Sequence, residues 1–298
     1  MKLRSREHAR ELDDALQPID WAIIPDGVRR VDIDAPSGRI ASIESGRRGD
    51  PRVLLVPGAT GSKEDFVRMM PALVAQGFFV QSFDLAGQYE SHQAGPENCD
   101  PPRRRYDMEL FVADFLHVLD QEDTPVHVLG YSFAGNLAQE VCARRAERIA
   151  SITFLSAPPV PGQAFLKVKR IGWISPFTNG TSAAWLMMTG IRRNWIPVPA
   201  DRLRFVRQRF ALTRRRSVAD ILTLMKKTPN RRLELRAANI PKLVAVGQHD
   251  LWPVDAHAEF ATAIGARLAV YEAGHSPCEQ TPNQLVWDML EMIRGDRP

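Results

Sequence analysis

Val126-His127-Val128-Leu129-Gly130-Tyr131-Ser132-Phe133-Ala134-Gly135-Asn136-Leu137 reads as an apolar strand, an abrupt turn and the start of a helix, with the serine at the turn. A serine there is held in a strained backbone conformation that projects its hydroxyl above the sheet, and the tight strand-to-helix approach demands small residues on both sides. Gly130, Ala134 and Gly135 meet that demand, although Ala134 stands where the strict Gly-x-Ser-x-Gly pattern has its second glycine. The alternative is that Ser132 merely caps the helix that follows.

Outward from this stretch, strand-like and helix-like segments alternate. Strands are expected at 29–34, 39–44, 53–56, 78–83, 126–130, 151–155, 243–246 and 267–271, several of them short and apolar on both faces, as buried strands of a parallel sheet are. Helices are expected at 63–76, 107–121, 134–145, 256–264 and 283–293. That alternation implies an α/β fold, a mostly parallel central sheet with helices on both faces. The first two strands are joined by Ala35-Pro36-Ser37-Gly38, which predicts an antiparallel hairpin at the sheet edge. After Pro158 the rhythm changes to helices at 182–188, 201–212 and 218–227, with Ser217 as an N-cap. The expected organisation is an N-terminal helical extension over 1–26, a core over 27–158 and 240–298, and a helical cap over 159–239.

Serine is a poor nucleophile at neutral pH unless a base takes its proton, and the base needs a carboxylate to fix its tautomer and stabilise its cation. Two late strands end in such groups: Val246-Gly247-Gln248-His249-Asp250 and Tyr271-Glu272-Ala273-Gly274-His275. Asp250 is the expected acid, with Asp255 in reserve, and His275 the expected base. His249 points away from its neighbour Asp250 and reads as a loop residue. His8, His92, His117, His127 and His257 read as structural or solvent-facing, without metal-ligand spacing. No metal is expected, and without a phosphate-binding glycine motif no cofactor either.

With these residues the chain resembles the α/β-hydrolase superfamily, in the serine hydrolase form that carries a helical cap after the sixth strand. The order Ser132, Asp250, His275 is the order that resemblance implies. Pro57-Gly58-Ala59-Thr60-Gly61-Ser62 resembles the family's oxyanion loop, with Pro57 where histidine is more usual. By similarity the backbone N–H groups of Ala59 and Phe133 face the developing oxyanion. Asp84-Leu85-Ala86-Gly87-Gln88-Tyr89-Glu90-Ser91 resembles a second family loop, with Tyr89 where a glycine is usual.

The chain of 298 residues has a formal charge of +4, too mild to argue for nucleic-acid binding. The balance is uneven. Residues 161–235 hold 16 Lys and Arg against three acids, a local charge of +13, which leaves −9 on the rest. Such polarity suits an anionic substrate, a lipid-like one, an anionic membrane surface, or simply solvated helix faces. The same segment carries Trp185, Met187 and Met188, expected with Trp252 to shape an acyl pocket.

Cys99, Cys142 and Cys278 lack disulfide or zinc spacing, and the first 17 residues have no apolar run of signal-peptide type, so a cytoplasmic setting is expected. The uncharged stretch 171–191 is interrupted by Gly172, Pro176 and Gly180 and reads as loop and short helix rather than a transmembrane segment. The function these readings imply is hydrolysis of a small-molecule carboxylic ester or thioester. The resemblance also accommodates C–C bond hydrolysis, acyl transfer, perhydrolysis or a non-catalytic ligand-binding role. Oligomeric state stays open at this level.

Overall fold

The structure, a computed structural model, describes residues 2–168, 181, 185, 188–190, 193 and 198–295. The strands are β1 (Val28–Ala35), β2 (Gly38–Ser45), β3 (Arg52–Val56), β4 (Phe79–Phe83), β5 (Val126–Tyr131), β6 (Ile149–Leu155), β7 (Lys242–Gly247) and β8 (Arg267–Tyr271). They form one sheet in the order β1-β2-β4-β3-β5-β6-β7-β8. β1 pairs antiparallel with β2 and β2 with β4, whereas every pairing from β4 through β8 is parallel. The helices are α1 (Arg6–Asp14), α2 (Met70–Ala75), α3 (Met108–Leu119), α4 (Phe133–Arg145), α5 (Ala200–Leu212), α6 (Arg215–Met225), α7 (Arg232–Ala237), α8 (Val254–Ile264), α9 (Pro277–Gln280) and α10 (Pro282–Arg294).

Two apolar clusters sandwich the sheet. Successive side chains on a strand point to opposite faces, so Leu54 and Val56 of β3 join one cluster and Val53 and Leu55 the other. The first cluster runs on into the segment between β6 and β7, taking in Met188, Val206, Phe210, Ile221 and Leu222. That segment is therefore a helical insertion sharing the core of the sheet domain.

The expected 63–76 helix is two pieces. A single 3₁₀ turn, Lys63–Phe66, precedes α2, because Pro71 in the first turn of α2 has no N–H to carry the helical ladder back across the junction. α6 begins before the expected Ser217 cap: its first residue is Arg215, and Ser217 lies inside it with its hydroxyl committed to the core, donating to Ala86 O (2.9 Å). The expected 182–188 helix falls outside the described residues except at positions 185 and 188. α1 docks on the start of α10, where the Asp13 carboxylate accepts from the backbone N–H groups of Asn283 (2.9 Å) and Gln284 (3.0 Å) and so satisfies donors that a helix start leaves open.

Charge helps to seat this insertion on the sheet domain. Arg202 and Arg209 of α5 pair with Asp65, and Arg202 also with Glu279. Arg214 pairs with Glu97, and Arg231 with Glu140 at 2.8 Å. Four of the sixteen basic residues of the +13 segment thus meet acids of the −9 body within the molecule. Among the described residues no helix is long and apolar enough to cross a membrane.

Candidate active site

The site is assembled at the C-terminal ends of β3, β5, β7 and β8. Ser132 follows β5 with φ 52° and ψ −118°, a conformation that non-glycine residues rarely adopt. The neighbours permit it. A methyl group on Gly135 would lie 2.3 Å from Ala157 Cβ, and one on Gly130 would lie 2.6 Å from Ala134 O. These contacts explain why glycine stands at both places, whereas Ala134 fits where it is. The Ser132 backbone N–H donates to Leu155 O at 2.8 Å, which ties the turn to the end of β6.

His275 reaches Ser132 and Asp250 with its two ring nitrogens. Nε2 lies 3.1 Å from Ser132 Oγ, and Nδ1 lies 2.5 Å from Asp250 Oδ1. Asp250 is buried, and burial pushes its carboxyl up, but the adjoining His275 and a hydrogen bond from His257 outweigh that and hold it below the usual carboxylate range. An ionised Asp250 accepts the Nδ1–H of His275, which leaves Nε2 as the acceptor facing the serine hydroxyl.

Asp250 has more partners than the sequence suggests. Its Oδ2 lies 3.1 Å from Nε2 of His257, a fully buried residue of α8, and its Oδ1 also accepts from the Leu251 N–H at 2.7 Å. His257, expected to be structural or solvent-facing, is thus buried and held against Asp250. Its one signal is that the first turn of α8, which opens at Val254, brings position 257 back over the end of β7. Asp255 and His249 are exposed, and among the described residues neither is hydrogen-bonded to the ring nitrogens of His275. Trp252 is buried with its Nε1–H donated to Ala164 O (2.7 Å), and its ring lies 5.8 Å from that of His275, so it packs beside the histidine. Tyr131, just before the serine, is also against the His275 ring at 5.3 Å, and its hydroxyl is 2.8 Å from Ser276 Oγ. Burial pushes the Tyr131 phenol well up, so it stays protonated.

The loop after β3 abuts Ser132. A Cβ on Gly58 would fall 2.8 Å from Ser132 Cβ, so only glycine lets this loop approach so closely. Ala59 follows, half-buried, and Phe133 opens α4. Among the described residues no group accepts a hydrogen bond from the backbone N–H of either. The first N–H groups of a helix lack intrahelical partners in any case, and they favour negative charge.

The residues expected to line a pocket from the insertion are placed unevenly. Met188 is buried in the apolar cluster, Trp185 is 66% exposed, and Met187 lies outside the described residues. Cys278, three residues after His275, is buried, which pushes its thiol well up and leaves it unreactive. No group of three or more His, Cys, Asp or Glu suited to a metal occurs among the described residues.

Residues 53–288 match the family model for the Alpha/beta hydrolase family. The chain belongs to that family. No curated protein matches it closely enough in sequence to count as a relative. Solved structures similar to this alpha/beta hydrolase include a thermophilic esterase from Thermogutta terrifontis, 22% identical with a TM-score of 0.67 over 90% of this chain and 98% of that one. The thioesterase domain from the curacin biosynthetic pathway is 18% identical, with a TM-score of 0.66 over 89% of this chain and 100% of its own. A bromoperoxidase from Bacillus anthracis is also 18% identical, with a TM-score of 0.69 over the same shares. At these identities the likeness is one of fold.

Proposed function

We propose that this alpha/beta hydrolase is a serine esterase, cleaving a carboxylic ester or thioester through an acyl-enzyme on Ser132. The observation that carries the reading is the continuous hydrogen-bonded line from Ser132 Oγ through His275 to Asp250, at 3.1 and 2.5 Å. In the first half-reaction Ser132 Oγ attacks the acyl carbon while His275 Nε2 takes the hydroxyl proton. The tetrahedral oxyanion is met by the N–H groups of Ala59 and Phe133, each such donor being worth about 3 kcal/mol in the transition state. The C–O or C–S bond then breaks and His275 returns the proton to the leaving alcohol or thiol. Water, deprotonated by the same nitrogen, hydrolyses the acyl-serine and restores the enzyme.

Asp250 keeps His275 in the required tautomer and offsets the imidazolium charge, and His257 holds the second carboxylate oxygen. The apolar continuity of the cap with the core cluster favours an apolar acyl group, lodged near Met188 and Trp252. A fluorophosphonate probe and a panel of p-nitrophenyl esters and acyl-CoA thioesters test this on wild type and Ser132→Ala. Labelling of Ser132 and turnover abolished by Ser132→Ala are expected. Folded wild type that neither labels nor turns over any member of the panel would overturn the assignment.

A further inference from the structure

Two helices of the cap reach past the surface of the core to the loops that carry the reacting groups. From α5, Arg202 and Arg209 are each only 7% exposed, and both donate to Asp65 Oδ1, at 2.6 and 2.7 Å. Arg209 also donates to Ser62 Oγ at 3.2 Å, and Asp65 Oδ2 accepts the Ser62 N–H at 3.1 Å. Ser62 ends the loop that contains Ala59. The same Nη2 of Arg202 donates to Glu279 Oε1 at 2.5 Å, and Glu279 lies four residues after His275. One guanidinium therefore bridges the oxyanion loop and the histidine loop, with the Trp21 ring of the N-terminal segment 4.3 Å from it.

α6 makes an independent tie. Ser217 Oγ accepts from Gln88 Nε2 at 2.7 Å, and Gln88 Oε1 accepts the Thr60 N–H at 3.1 Å. Thr60 follows Ala59 directly and takes φ 60°, so its peptide is fixed in an uncommon conformation by a side chain that the cap in turn holds. Tyr89, in the position where glycine is usual, takes φ 38°. Its N–H donates to Thr213 Oγ1 at 3.0 Å and its ring packs edge-on to Phe205 of α5 at 5.7 Å. All of Ser62, Asp65, Gln88 and Ser217 are buried, where an unpaired polar group is costly, so these contacts are not readily exchanged for water.

We infer that α5 and α6 of the cap set the geometry of the oxyanion loop and the His275 loop, with Arg202 and Gln88 as the positioning residues that transmit it. The inference rests on the esterase reading and goes beyond it, since neither residue touches the reacting atoms. Misplacement of a catalytic group by about 1 Å can cost about 100-fold in rate, so loosening either tie acts on turnover more than on substrate affinity. Because a single nitrogen of Arg202 serves both acids, a lysine ammonium, with three donors, can replace it.

The test is turnover of a p-nitrophenyl ester per active site, counted by stoichiometric fluorophosphonate labelling, in Arg202→Met, Arg202→Lys and Gln88→Met. Turnover per labelled site is expected to fall about 10-fold or more in Arg202→Met and Gln88→Met with KM within about threefold, and Arg202→Lys is expected to recover most of the loss. A purely structural role lowers the number of labelled sites and leaves turnover per site unchanged; that result in both methionine variants overturns the inference. Gln88→Met keeps the α5 ion pairs, so it remains decisive if Arg202→Met does not fold. Wild type that is folded but neither labels nor turns over refutes the esterase reading itself, and the inference with it.

Discussion

Replacing Asp250 by asparagine is expected to slow the enzyme far less than the same change slows a serine protease. The reason lies in the hydrogen bonds around the carboxylate. Oδ1 accepts from both the Leu251 N–H and His275, whereas among the described residues Oδ2 faces only His257. A backbone N–H cannot become an acceptor, so the asparagine oxygen must occupy the Oδ1 place and its NH₂ must face His257. His275 then keeps its Nδ1–H tautomer and loses only the negative charge beside its cation. A hydrogen bond to a charged group is worth about 1.5–3 kcal/mol net, which at about 1.4 kcal/mol per factor of ten corresponds to a fall in kcat of about 10- to 150-fold. A wrong tautomer costs about 10⁴-fold by comparison.

The burden falls on His257, which has to move its proton to Nδ1, a buried atom without a hydrogen-bond partner among the described residues. Stability should therefore drop by about 1–3 kcal/mol. The assay is kcat per labelled site on a p-nitrophenyl ester, with urea unfolding of the same samples. A fall of about 10⁴-fold in folded Asp250→Asn would mean that the amide turns its NH₂ to His275; a fall under about threefold would mean that the charge of Asp250 does no catalytic work. Either result refutes the reasoning.

Two further outcomes follow from backbone strain and burial. At an ordinary position glycine is about 0.5–1 kcal/mol less stabilising than alanine, but at φ 52° the order should invert, with inactive Ser132→Gly more stable than inactive Ser132→Ala by about 1 kcal/mol in urea unfolding; the usual order would show that the turn is unstrained. Asp114 is buried beside Ser37, and burial outweighs the Ser37 hydrogen bonds to bring its carboxyl up to about 7. The folded state thus keeps a proton that the unfolded chain has already released, and stability should fall between pH 3.8 and about 7, levelling above. At about 1.4 kcal/mol per pH unit the loss is about 4 kcal/mol, which Asp114→Asn should remove. Parallel stability profiles for the two proteins from pH 4 to 8 would contradict this.

The strands and the serine turn were legible in the chain because each has a local cause, and the order Ser132, Asp250, His275 because it is the one the family resemblance implies. Apolar runs of strand length mark β3 through β8, and a serine between small residues marks the turn. Even the departure at Tyr89 was visible, although its consequence, a positive φ held by Thr213, was not. Ser217 shows the limit: its spacing matched a helix cap, yet the contact with Gln88, 129 residues away, claims its hydroxyl. His257 is alike: a structural or solvent-facing reading could not name Asp250 as its partner, which is chosen by where α8 lands on the sheet.

By itself the sequence determined the fold class, the serine turn between strand and helix and the division of charge between a basic insertion and an acidic body. Only the tertiary structure decided where that charge goes. Arg202, Arg209, Arg214 and Arg231 find Asp65, Glu279, Glu97 and Glu140 at sequence separations that no periodicity encodes. Local order follows from backbone sterics and side-chain pattern, which each segment carries within itself; ion pairs and buried hydrogen bonds depend on how finished segments dock, and exist only once the chain has folded.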